Sequence, residues 1–200
     1  MYLDNYLKYL NESYFTSKEP LFYKFDEWEE SKWGHLFITG IVASGKTTYS
    51  NELAMKYKCR VIHLDDLINK VYKDYLEKHP DIDNLERKEI ELIIQDLMDE
   101  TYFNISKIKE KIIIEGVQAI WMPRKELLNN ESIILVRTSN IVSLWRSIKR
   151  NLKYKYSSKD PQWNINLVDK FWIILRDVWG KSFLNSMKSF ESDLIKKMKN

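Results

Sequence analysis

The sequence predicts a three-layer α/β fold on a mostly parallel sheet, and two observations carry that prediction. Apolar runs of strand length alternate with segments of helical spacing between residues 35 and 137, the order in which right-handed crossovers lay helices over a parallel sheet. Between the first run and the first helical segment lies a glycine-bounded loop, GIVASGKT (40–47), in a chain of 200 residues with only five glycines. With 44% hydrophobic and 30% charged residues, the chain has the apolar content of one globular core. Its net charge of +3 is too small to announce a polyanionic partner.

Residues 1–34 read as an aromatic-rich, mostly helical N-terminal extension packed on the core (Tyr2, Tyr6, Tyr9, Tyr14, Phe15, Phe22, Phe25, Trp28, Trp33), covering the sheet or forming a homodimer interface. The strands follow at Leu36–Thr39, Arg60–Leu64, Lys111–Glu115 and Ser132–Arg137, each rich in Ile or Val as buried parallel strands are. Helices are expected at Lys46–Tyr57, Leu67–Lys78 and Leu85–Ile108, the last with an apolar stripe of Leu85, Leu92, Ile93 and Leu97 set against Glu89 and Asp96. Beyond Asn140 only helical spacing remains, Trp163–Lys199 included. The last sheet edge is therefore absent or supplied by a piece of the extension, for example LFYKF (21–25). The N-terminus lacks the basic start and apolar run of a signal peptide, and no later run approaches the ~18 apolar residues of a membrane span, so a cytoplasmic protein without a membrane partner is expected. Cys59, the single cysteine, excludes an internal disulfide and reads as a small buried hydrophobe. His35, His63 and His79 show no metal-ligand spacing.

GIVASGKT has the spacing G-x-x-x-x-G-K-[ST], with a strand entering and a helix leaving, the context that gives this pattern its meaning. A loop that wraps a phosphate chain turns successive backbone N–H groups inward, which requires glycines where a Cβ would intrude. Gly40 ends the strand and Gly45 opens the helix, whose N-terminus attracts anions. The expected nucleotide site comprises Gly40, Ala43, Ser44, Gly45, Lys46, Thr47 and Thr48. Lys46 reaches the β- and γ-phosphates, and the Thr47 hydroxyl ligates Mg²⁺. Thr48 is either an α-phosphate contact or simply a helix residue.

Acids at the carboxyl edge of the sheet decide what happens to the γ-phosphate. VIHLDDL (61–67) places Asp65 and Asp66 at the end of the second strand. Asp65 is read as the carboxylate that orients an acceptor hydroxyl and takes its proton, and Asp66 as the N-cap of the next helix or an acceptor contact. KIIIEG (111–116) ends in Glu115–Gly116, and a buried acid there is reasonable beside a cation, so Glu115 is read as serving Mg²⁺, through water. Gly116 and Trp121 are read as candidate acceptor contacts, although the seven tryptophans, Trp121 among them, otherwise read as core and interface filling.

HLDDLI, IIIEGVQAIW and IILVRTSNIVSLWRSIKR together resemble the uridine kinase and phosphoribulokinase branch of the P-loop kinases, over roughly Leu36 to Lys153. The resemblance implies a nucleoside- or nucleotide-kinase-like P-loop NTPase domain over 35–200 with a helical lid around 143–160. It implies Asp65 as the acceptor-activating base, Glu115 for Mg²⁺, and Arg146 and Arg150 as lid arginines. Their spacing of four also puts both arginines on one helical face, able to neutralise charge on a transferring phosphoryl group or to form a plain basic face with Lys149 and Lys153. The family's acceptor-binding element has only HPDID (79–83) as a counterpart, and aligning it needs a gap.

The expected activity is an ATP- (or other NTP-) and Mg²⁺-dependent kinase acting on a hydroxyl of a small molecule, a nucleoside or nucleoside-like compound. Two rivals stay open. KRNLKYKYSSK (149–159) interleaves cations with stacking tyrosines and would suit a polynucleotide 5′-hydroxyl kinase, although nucleic acid is the less favoured partner. A regulatory P-loop NTPase without an acceptor, working through the N-terminal extension, is the other.

Overall fold

The computed structural model describes residues 19–41, 43–79, 87–138 and 184–199. The chain divides into two compact units: Glu19–Gly40 with Gly45–Val136, and Ile41–Ser44 with the N-terminal residues and the segment from Arg137 onward. The first unit is built on a five-stranded sheet, β1 (Leu21–Tyr23), β2 (Gly34–Gly40), β3 (Arg60–His63), β4 (Lys111–Glu115) and β5 (Ser132–Val136), in the order β1-β5-β2-β4-β3. The pairs β2–β4, β2–β5 and β3–β4 are parallel. β1 runs antiparallel to β5, with Leu21 opposite Leu135, so the sheet is mixed. The edge strand comes from LFYKF. Its direction follows from chain length, because a parallel crossover needs about a dozen residues or more and only residues 24–33 separate β1 from β2.

Alternation along β2 sends Leu36 and Ile38 to one face, where they meet Ile113 of β4, Ile134 of β5 and Trp28 of helix α1 (Phe25–Glu30). Helix α2 (Lys46–Tyr57) covers the same face with Tyr49, Leu53, Ala54 and Tyr57. Trp28 is buried with its polar atom satisfied: the indole N–H donates to the Gly34 carbonyl at 3.1 Å. On the opposite face Phe37 meets Tyr102 of helix α4 (Arg87–Ser106), ring centroids 6.3 Å apart. Helices thus lie against both faces, as three layers require. The buried stripe of α4 is Ile94, Met98, Thr101, Tyr102 and Ile105, whereas Leu92 is 66% exposed. The expected stripe through Leu92, Ile93 and Leu97 is offset from the buried one, because α4 carries apolar residues at consecutive positions (Leu92, Ile93, Ile94; Leu97, Met98) and spacing alone does not choose between adjacent stripes.

Helix α3 (Leu64–Lys78) begins at Leu64 rather than Leu67, directly after the four-residue β3. A 3₁₀ turn (Val117–Trp121) and a short helix α5 (Arg124–Asn130) connect β4 to β5. In the second unit residues 184–199 form helix α6, with Met187, Phe190 and Leu194 buried, and Arg137 Nε pairs with Glu191 at 2.9 Å. The earlier part of the expected Trp163–Lys199 helical stretch and residues 1–18 of the extension lie outside the described residues. Cys59 is half-buried against the Trp28 cluster, and burial raises its thiol pKa. Among the described residues no helix is long and apolar enough to cross a membrane.

At the start of β2, His35 donates from Nδ1 to Glu131 Oε2 at 3.1 Å and from Nε2 to the Ile108 carbonyl at 2.8 Å. Two acceptors on one ring favour the imidazolium. Burial opposes that charge, but the Glu131 hydrogen bond, the Ile108 carbonyl and the Glu131 charge outweigh it and raise the His35 pKa above 6.5. Burial, reinforced by the Glu131 charge, also pushes the Tyr102 phenol up to about 12. A raised histidine contributes stability that is fully present below the unfolded pKa and is lost as pH rises through the folded one. Urea denaturation at about pH 6 and about pH 8.5 should therefore show wild type losing stability across this interval, and Glu131→Gln losing less.

Candidate functional site

The parallel registers bring the carboxyl ends of three adjacent strands to one edge. Ile38 of β2 and His63 of β3 both lie opposite Glu115 of β4. The ends of β2, β4 and β3 therefore span two strand spacings, roughly 10 Å. In open α/β sheets this is the edge where ligands bind. Three chain segments leave from it: the glycine-bounded loop after Gly40, helix α3 after His63, and the 3₁₀ turn after Glu115–Gly116.

Gly40 closes β2 with φ 154° and Gly45 precedes α2 with φ 99°, backbone settings that L side chains rarely adopt. Ala43 also sits in the left-handed region at φ 57°, a setting that costs a residue with a Cβ about 1–2 kcal/mol. Ser44 is buried and its N–H donates to the Ile41 carbonyl at 3.1 Å. Gly45 caps α2 without a side-chain hydrogen bond, and the first turn of α2 carries no acid, so nothing on the helix offsets the positive end of its dipole. Lys46, its first residue, is buried with 8% exposure. Thr47 and Thr48 are exposed in the same turn, and the Thr47 carbonyl accepts from Ser50 Oγ at 3.0 Å.

The acids sit differently from expectation. Asp65 and Asp66 are both in the first turn of α3, and both are exposed. Neither ends the strand, and Asp66 is no N-cap, because the helix is already formed at Leu64. In a first turn a carboxylate is favoured by the helix dipole without capping. Asp65 Oδ1 accepts a hydrogen bond from Gln118 Nε2. Asp66 makes no hydrogen bond or ion pair among the described residues.

Glu115, 6% exposed, accepts through Oε2 from His63 Nδ1 at 2.9 Å, which fixes the His63 proton on Nδ1. Gly116 follows in extended backbone, and its N–H donates to the Ile38 carbonyl at 3.2 Å. A Cβ built there would lie 2.6 Å from Leu64 Cβ and 2.8 Å from Gln118 Oε1. Gly116 is thus the residue that lets the start of α3 pack against the end of β4. Trp121 ends the 3₁₀ turn, and its carbonyl accepts from Gln95 Nε2 at 3.1 Å.

Of the expected site residues, Gly40, Gly45, Lys46, Thr47, Thr48, Asp65, Asp66, Glu115, Gly116 and Trp121 stand on elements that leave this edge or continue from it. Arg146, Arg150, the 143–160 lid, the 149–159 stretch and most of HPDID lie outside the described residues. His63 and Gln118 are additions. Each is linked to a predicted acid by a cross-strand or helix–turn contact that linear spacing does not show.

Among the described residues no group of three or more His, Cys, Asp or Glu side chains is arranged to hold a metal. The oxygens expected to serve Mg²⁺ are an exposed Thr47 hydroxyl and Glu115 Oε1, which has no protein partner among the described residues, with the exposed Asp65 and Asp66 carboxylates at the same edge. Such a set fits a hard cation that keeps water and phosphate oxygens in its shell rather than one caged by protein. No protein-family model matches the chain, and no curated protein does.

Gly116→Ala should destabilise the fold by about 1–3 kcal/mol, since the added methyl meets the Cβ of a fully buried leucine rather than a movable side-chain end. Chemical denaturation of the full chain measures it. A variant as stable as wild type would show that the approach of α3 to β4 is looser than the geometry indicates.

Proposed function

We propose that the chain is an ATP- and Mg²⁺-dependent phosphotransferase that moves the γ-phosphoryl group to a hydroxyl of a small molecule, nucleoside-like in class. The observation that carries this reading is the convergence of a strand–GxxxxGKT–helix segment, an exposed aspartate and a buried glutamate on the carboxyl edge of adjacent parallel strands. Lone matches to the glycine pattern are weak; a match with a strand before it, a helix after it and acids beside it is the arrangement that phosphoryl transfer uses.

In this reading the N–H groups at the start of α2 and Lys46 hold the phosphate chain, and the buried position of Lys46 strengthens its attraction for phosphate by excluding water. Thr47 and Glu115 would hold Mg²⁺, which when bound neutralises charge on the phosphate oxygens. His63, by donating to Glu115 Oε2, holds that carboxylate in one orientation. Asp65, exposed at the helix start, orients the acceptor hydroxyl and receives its proton as the oxygen attacks phosphorus. Arg146 and Arg150 remain the proposed lid arginines.

Incubating the purified protein with ATP and a panel of nucleosides, nucleotides and 5′-hydroxyl oligonucleotides, and following the γ-phosphate, tests the reading directly. Labelled oligonucleotide alone would point to the polynucleotide kinase, and free phosphate without a labelled acceptor to a plain NTPase. Lys46→Ala should lower transfer by about 10³-fold or more, because a charge is lost where charge develops; near-wild-type turnover would overturn the nucleotide site.

The two acids should separate. Asp65→Asn should bind ATP·Mg²⁺ as wild type does yet lose transfer by roughly 10²–10⁴-fold, since an amide cannot take the proton. Glu115→Gln should instead raise the Mg²⁺ concentration required for half-maximal rate, on the order of tenfold. Titrating ATP and Mg²⁺ against both variants checks this, and the opposite pattern would exchange the two roles.

A further inference from the structure

We propose that Gln118 is a positioning residue for Asp65: its side-chain amide holds the carboxylate by Oδ1 and leaves Oδ2 turned to the acceptor hydroxyl. The inference rests on the kinase reading for its chemistry and on the geometry of the Gln118–Asp65 pair for its structure. Asp65 stands in the first turn of α3 with an exposed side chain, and an exposed carboxylate without a tether samples several rotamers. Gln118, on the 3₁₀ turn after β4, is 3% exposed and donates from Nε2 to Asp65 Oδ1. The amide cannot be turned the other way round, because its carbonyl would then face a carboxylate. The contact thus tethers Asp65 by one oxygen and narrows the orientations open to it.

A residue there only to fill space would not look like this. The carbonyl Oε1 of Gln118 is buried and has no hydrogen-bond partner among the described residues, whereas an apolar side chain of the same size would fill the space without a polar atom to satisfy. The position is also crowded: a methyl on Gly116 would come within 2.8 Å of that oxygen. A buried polar side chain whose partner among the described residues is an exposed acid at the ligand edge fits a group kept for function rather than for filling space. Orientation of a reacting group is where such a residue gains rate.

Gln118→Met keeps the volume and removes both the donor and the unpartnered oxygen. Expected are an unchanged or raised Tm, an unchanged Kd for ATP, and a kcat for the best acceptor roughly 10- to 100-fold lower. In an Asp65→Asn background the same change should have no further effect, because the group it positions is gone. A structural role alone predicts the reverse: a lowered Tm with kcat per folded molecule unchanged. An unchanged kcat in Gln118→Met, or an undiminished effect in the double variant, overturns the proposal; Gln118→Leu serves as a second variant if methionine impairs folding. The ¹³C carboxyl resonance of Asp65 in the full-length protein gives a readout independent of turnover. If wild type phosphorylates no acceptor, the kinase reading fails; a shift of that resonance in Gln118→Met still supports the tether, and an unmoved resonance overturns it.

Discussion

The register between β2 and β4 is the constraint on which the candidate site depends. With Ile38 opposite Glu115, the strand that leads into the glycine-bounded loop and the strand that ends in the buried acid stop at the same edge, and His63 joins them from the far side of β4. Side chains alternate along a strand, so a slip of one residue would turn Glu115 to the opposite face and away from His63. The register is held by burial. Ile112, Ile113 and Ile114 are fully buried, as are Leu36, Phe37 and Ile38 beside them, so the middle of each strand is buried on both faces and a shift would break packing on both.

A second constraint, steric rather than hydrophobic, sits where β4 ends. The missing side chain of Gly116 lets Leu64 pack against the backbone, and Leu64 opens the helix that carries Asp65. One position therefore sets how near the first turn of α3 comes to the 3₁₀ turn and to Gln118. The two acids at the edge receive unlike surroundings from this arrangement. Glu115 is enclosed and paired with an imidazole, whereas Asp65 is exposed and held at one oxygen by an amide. Carboxylates in such different settings are suited to different work, one to standing charge and the other to exchange with a ligand.

Much of this was legible in the sequence. Runs such as KIIIE and SIILV carry consecutive Ile or Leu residues, hence apolar side chains on both faces, and are flanked by helical spacing, so their identity as buried strands was legible, and the spacing of Gly40, Gly45 and Lys46 marked the turn from strand to helix. The edge strand in LFYKF was legible only as an alternative, because three residues carry too little pattern to distinguish a strand from a helix turn. The start of α3 was misplaced for a different reason: Asp66 resembles a cap, but capping competes with first-turn placement, and a leucine buried by Gly116 drew the helix three residues earlier. His63, Gln118 and the His35–Glu131 pair were invisible since each is defined by a partner far away along the chain. Spacing rules describe neighbours on one element; they say nothing about which element comes to rest beside another.

The antiparallel edge strand has a consequence for how the chain is made. Leu21–Tyr23 leaves the ribosome long before Ile133–Leu135, the segment it pairs with, so β1 has no ladder until the last of the described strands is made. Until then its backbone groups are open to any other extended segment, including the same segment of a neighbouring nascent chain, and once β5 is in place the roles exchange, with β5 exposed until β1 docks. Long separation between partners makes such pairing slow, and slow edges recruit chaperones or aggregate. The short length of β1, and the lysine that follows it at Lys24, limit how much of that risk the protein carries while it waits.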